Sequence, residues 1–161
     1  ELLEVMNDPM LYVKILDFRR ETDFNLFHLE NARLSYFSEI DDRRFIRQIK
    51  QLPANTVFVV LSNGEGLATT AYKGLMGQGI LNLYILDGGI NNWLAHFPLA
   101  HDIARKAPGA DSDQLKFKFN YTVGEKSASS NPEKYLKRVS ALQFEKKIKI
   151  QRKKAISGGC G

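Results

Sequence analysis

Apolar and polar residues alternate along "LYVKILDFR" (residues 11–19) and then turn apolar before Asp17, the pattern of a strand entering a core. "RETDFNLF" (20–27) has the composition of about two helical turns, and residues 32–36 look extended. In "EIDDRRFIRQIKQL" (39–52), Ile40, Phe45, Ile49 and Leu52 stand near helical spacing with charges between them. Ser38 is placed to cap that helix, with Asp41 and Asp42 in its first turn, and Pro53 ends it. "VFVVL" (57–61) is a β-branched, wholly apolar run, as expected of a strand covered on both faces. "LATTAYKGLMGQG" (67–79) predicts a helix ending at Gly77 or Gly79. "NLYIL" (82–86) predicts another strand, and "DGGINNWLAHF" (87–97) a turn followed by a short helix. Strand, helix, strand, helix in this order argues for an α/β fold with a central parallel sheet covered on both faces.

Past Phe97 the pattern changes. Residues 98–113 are loop-like, and "LKFKFNY" (115–121) alternates strictly, as an edge strand blunted by lysines would. Residues 122–132 are small and polar. "EKYLKRVSALQFEKKI" puts Tyr135, Val139 and Leu142 on one helical face; a basic run and a glycine-rich end follow. The division expected is a domain over 1–100, a loop and edge strand packed on it over 101–132, and a basic helix and tail over 133–161.

Composition adds little to this: 43% apolar and 25% charged residues are ordinary for a globular chain. The charge distribution is more informative. Residues 133–161 hold nine Lys or Arg and two Glu, a net of +7, so residues 1–132 carry −2 of the total +5. The longest nearly uncharged stretch, 74–97, is punctuated by glycines, asparagines and Asp87, which argues against a membrane span. The one cysteine, Cys160, excludes an intrachain disulfide, and His28, His96 and His101 do not pair at metal-ligand spacing. No metal and no cofactor are expected. A single cysteine slightly favours a reducing, cytoplasmic setting. A first residue of Glu1 rather than Met leaves a removed leader, and so an exported location, open.

Four landmarks stand in order: "ILDFRRETDFNLFHLENA", the strand "VFVVL" with the loop "SNGEGL", the helix that follows, and "NLYILDGGINNW". Together they resemble a rhodanese domain, the three-layer α/β/α module of sulfurtransferases, over residues 11–97. The Asp-x-Arg element of that family matches Asp17 and Arg19, its His-Ile-like step matches His28-Leu29, and its Gly-Gly turn with a following aromatic matches Gly88, Gly89 and Trp93. In the family, a cysteine opens the loop after the strand. Loop amides and a helix N-terminus favour its thiolate, which carries sulfur as a persulfide.

The residue matching that cysteine is Ser62. A hydroxyl is far less acidic than a thiol, and oxygen does not carry sulfur as a persulfide. Where many active members place Arg or a hydroxyl residue, this chain has Gly66, Leu67 and Ala68, and Glu65 adds a negative charge beside them. An engineered Cys→Ser change would leave those two departures unexplained. A hydrolytic serine needs a base within reach, and the sequence offers only Glu65. The resemblance therefore implies a module silent as a thiosulfate sulfurtransferase, one that binds a protein partner or small anion through Ser62, Asn63, Gly64, Glu65, Gly66 and Leu67. The alternative is an active sulfur-relay protein using Cys160, or a partner's thiol, as carrier.

The remaining residues read more simply as structure. Asp17 and Arg19 are expected to hold loops together rather than to catalyse, His28 to bond backbone, Trp93 to fill the core, and Gly88-Gly89 to make a tight turn. "SNGEG" lacks the Gly-Lys-Ser/Thr ending of a P-loop, which disfavours nucleotide binding. The tail reads by default as a solvated charge run. Contact with an anionic surface is its second reading, and few aromatics and no recognised fold disfavour nucleic acid.

Overall fold

The structure, a computed structural model, describes residues 1–97, 103–105, 113–119, 128–130 and 148–151. After a short helix, α1 (Leu2–Met6), the chain enters β1 (Tyr12–Asp17), whose first half is partly exposed and whose last three residues are buried. Helix α2 (Glu21–Leu26) runs directly into β2 (Phe27–Leu29), and β3 (Ala32–Leu34) follows. Helices α3 (Phe37–Ile40) and α4 (Arg43–Lys50) lead to β4 (Thr56–Leu61). Then come α5 (Gly66–Gly77), β5 (Leu83–Ile85) and α6 (Gly89–His96). Beyond them lie β6 (Ile103–Arg105), β7 (Phe117–Phe119) and β8 (Ala128–Ser130).

The main sheet has the order β3-β1-β4-β5 and is parallel throughout, with Tyr12 opposite Thr56 and Asp17 opposite Leu61. All six residues of β4 are buried, as an apolar run at the centre of a doubly covered sheet requires. Its side chains alternate between two cores. Val57, Val59 and Leu61 pack with Leu3 and Val5 of α1 and with Ile90, Trp93 and Leu94 of α6. Phe58 and Val60 pack with Ile40, Phe45, Ile46 and Ile49 of α3 and α4 and with Ala68, Ala71 and Leu75 of α5. This is the three-layer α/β/α arrangement expected from the sequence.

Three local readings need correction. The helix expected over 39–52 is two helices, because the Asp42 side chain accepts from Arg44 N–H at 2.8 Å and starts α4 afresh. Ser38, expected to cap, lies inside α3. The loop-like stretch 98–113 contains β6, which pairs antiparallel with β7. The alternating segment after it pairs with β6 on one side, in a two-stranded sheet where each strand is an edge. Leu115 and Phe117 also join the core on the α6 side, and Phe119 stacks on Phe27 at 6.0 Å.

Part of the basic C-terminal region is docked. Tyr84 Oη donates to Lys149 O at 2.9 Å and accepts from Lys149 N–H at 3.1 Å, while Gln151 N–H donates to Asn82 Oδ1 at 2.6 Å. The helix expected over 133–148 and the tail that carries Cys160 lie outside the described residues, save for 148–151.

Candidate functional site

In this sheet order the chain goes outward from β1 to β3 in one direction and from β4 to β5 in the other. The switch between β1 and β4 marks their carboxyl ends as the place where parallel sheets hold ligands. Residues 17–19 leave β1 there and residues 62–67 leave β4.

Asp17 and Arg19 form a wholly buried ion pair, with Arg19 Nη2 2.7 Å from Asp17 Oδ2. Arg19 also donates through Nη2 to Phe27 O at 2.6 Å, through Nη1 to Asp23 O at 3.3 Å and, marginally, to Asn63 Oδ1 at 3.5 Å. One guanidinium thus ties the end of β1 to α2, to β2 and to the loop after β4. Asn63, 2% exposed, donates through Nδ2 to Asp23 Oδ2 at 2.7 Å.

The loop is shaped from behind by the Gly-Gly turn. Gly88 and Gly89 both have φ of +62°, and a Cβ on Gly89 would lie 2.2 Å from Gly64 O and 2.5 Å from Ser62 O. That close approach lets Ile90 N–H donate to Ser62 O at 2.9 Å and Asn91 N–H to Asn63 O at 3.0 Å. With the Asn63 carbonyl turned toward α6, the Gly64 N–H of the same trans peptide faces the opposite side, and the Leu67 N–H projects from the first turn of α5.

There they meet a carboxylate. Gly64 N–H donates to Asp113 Oδ1 at 3.0 Å and Leu67 N–H to Asp113 Oδ2 at 2.7 Å. Ser62 Oγ lies 2.6 Å from Asp113 Oδ1 and 3.0 Å from Gly64 O, and it accepts from Ala68 N–H at 3.2 Å. Its single proton goes to the nearer, charged acceptor. Ser62 itself is 0% exposed. Two amides at the start of a twelve-residue helix make a favourable seat for negative charge, and the chain's own side chain occupies it.

Asp113 belongs to a strap, residues 113–117, fastened by groups other than that carboxylate. Asn63 Nδ2 donates to Asp113 O at 2.9 Å. Asn91 donates through Nδ2 to Gln114 O at 2.9 Å and accepts at Oδ1 from Lys116 N–H at 2.8 Å.

Sequence reasoning missed both Asp113 and Asn91. A signal for Asp113 exists: carrying the alternation of Leu115, Phe117 and Phe119 back one step puts residue 113 on the inward face, where an acid needs donors. Glu65 is placed differently from the expectation of a charge beside an anion site. Its Oε1 accepts from Gly88 N–H at 2.7 Å, holding the carboxylate on the Gly-Gly turn. Gly66 and Leu67 are exposed at the rim.

The other candidate residues lie apart from these contacts. His28 is half-buried, with Nδ1 3.0 Å from Phe24 O and its ring stacked on Phe24 at 4.2 Å. Trp93 is buried against Phe97 at 4.7 Å. Among the described residues no group of His, Cys, Asp and Glu is arranged to hold a metal, and no helix is long and apolar enough to cross a membrane.

The neighbouring carboxylate supplies the base that a hydrolytic serine would need. However, the same carboxylate engages the two amides that would have to stabilise an oxyanion, and it covers a hydroxyl with no exposure. The geometry is that of a filled site.

A search of curated proteins returned no match. Among solved structures, the crystal structure of a rhodanese-like domain protein from Staphylococcus aureus is similar, with 19% identity over 58% of this chain and 84% of that one and a TM-score of 0.46. A family model described as "Rhodanese-like domain" matches residues 1–96. That match takes in the main sheet, its helices, the loop after β4 and the Gly-Gly turn, and the chain belongs to the rhodanese-like domain family.

Proposed function

We infer that this protein is a rhodanese-like module silent in thiosulfate sulfur transfer, and that it works by binding, with the 62–67 loop as its anion-receiving surface. The observation that carries this reading is the environment of Ser62. An alcohol oxygen opens the loop where, by resemblance, the family keeps its sulfur-carrying cysteine, and Ala68 N–H and Asp113 engage it on both sides. A sulfane donor such as thiosulfate is an anion, and the amides that would receive it already bind the Asp113 carboxylate. Oxygen at position 62 gives sulfur no place to rest between donor and acceptor.

Peptide-resolved mass spectrometry after incubation of the full chain with thiosulfate tests this. No sulfur should be retained on the peptide that contains Ser62. Sulfur retained between residues 62 and 67 contradicts the reading.

A further inference from the structure

We propose that Asp113 is a built-in competitor at the 62–67 loop: its carboxylate occupies the seat of an external oxyanion, which binds only when that side chain swings out. The inference rests on the binding-module reading above and specifies how its site is regulated.

Two independent sets of contacts support it. First, the seat is organised without the carboxylate. The carbonyls of Ser62 and Asn63 are held by the Ile90 and Asn91 amides at 2.9 and 3.0 Å, and Gly89 packs against the same peptides, which fixes the Gly64 N–H opposite Asn63 O. The Leu67 N–H is fixed by its place in the first turn of α5, where Thr69 N–H donates to Glu65 O at 2.7 Å. Second, the strap is fixed without the carboxylate. Asn63 holds Asp113 O, Asn91 holds Gln114 O and Lys116 N–H, and Leu115 and Phe117 are 8% and 6% exposed in the core. A strap so fixed presents Asp113 to the amides at high effective concentration, which disfavours any free anion. A rotation of one side chain would vacate the seat and leave the strap in place.

The seat has the chemistry of a small oxyanion receptor: two backbone amides and one hydroxyl within 2.6–3.0 Å of a carboxylate's two oxygens. Sulfate presents the same acceptor spacing and serves as the probe.

The test is a sulfate titration of the full chain, wild type beside Asp113→Ala, at constant ionic strength with chloride as control, read on the Gly64 and Leu67 amides by NMR. In the Asp113→Ala chain those two resonances should shift saturably, with an affinity at least about tenfold tighter than in wild type. The Leu115 and Phe117 resonances should stay in place. Equal affinity in the two proteins, or no response of either amide, overturns the proposal. Should truncation unfold the chain, Asp113→Asn keeps the side chain's volume and sets an amide donor against one of the two backbone donors. It too must bind sulfate more tightly than wild type, and equal affinity overturns the proposal. Thiosulfate turnover measured on the same samples reports separately on silence. Turnover in wild type would defeat the binding-module reading, whereas the competition between Asp113 and sulfate is judged on the amide shifts alone.

Discussion

At Gly89, a methyl group in place of hydrogen would meet Gly64 O at 2.2 Å and Ser62 O at 2.5 Å, in a backbone conformation of φ +62° that disfavours any side chain. The glycine is what brings the start of α6 close enough to turn the loop carbonyls away from the site. Gly89→Ala should therefore destabilise the protein by about 2–5 kcal/mol, the sum of the left-handed penalty and the cost of forcing packed backbone apart. Urea denaturation measures it, and a change under about 0.5 kcal/mol, the usual size of a neutral surface substitution, contradicts this account of the loop. Asp17 and Arg19 act at the same scale. Their side chains are 0% exposed, so the pair holds its place by geometry and by the additional bonds of Arg19 to Phe27 O and Asp23 O.

At the scale of elements, the strap carries the Asp113 carboxylate onto the loop. Asn91 lies on α6 yet bonds the backbone of residues 114 and 116, so one helix shapes the loop and fastens the strap that covers it. Asn91→Ala leaves Gln114 O and Lys116 N–H without those partners, a loss of about 1–3 kcal/mol. Hydrogen exchange at the Lys116 amide should speed up by about tenfold or more, while exchange in the middle of β4 changes less. Unchanged exchange at Lys116 would show that the strap is held by other means. This is also where sequence legibility divides. β4 and its flanking helices were legible because a long apolar run, helical spacing and glycine punctuation are local signals. α1 and β2 were not, since five and three residues carry too little periodicity to stand out. The loop was legible from its position after a strand. Its occupant was not, because Ser62 and Asp113 are 51 residues apart and only the parity of Asp113 with the inward-facing Leu115 and Phe117 hints at the contact.

Across the whole molecule, a parallel sheet whose order reverses between β1 and β4 places the buried ion pair, the loop and the strap at one end. The opposite end and the outer edge are used differently: Asn82 and Tyr84 there bind the backbone of residues 149 and 151. The family's architecture is retained and, on the function proposed above, its customary site is filled from within by a segment beyond the matched residues 1–96. Cyanide-dependent consumption of thiosulfate by the full chain is the most direct test of that description. The account predicts a rate indistinguishable from the uncatalysed reaction at every protein concentration. A rate that rises in proportion to protein would contradict it, and loss of that rate in Cys160→Ser would transfer the chemistry to the tail.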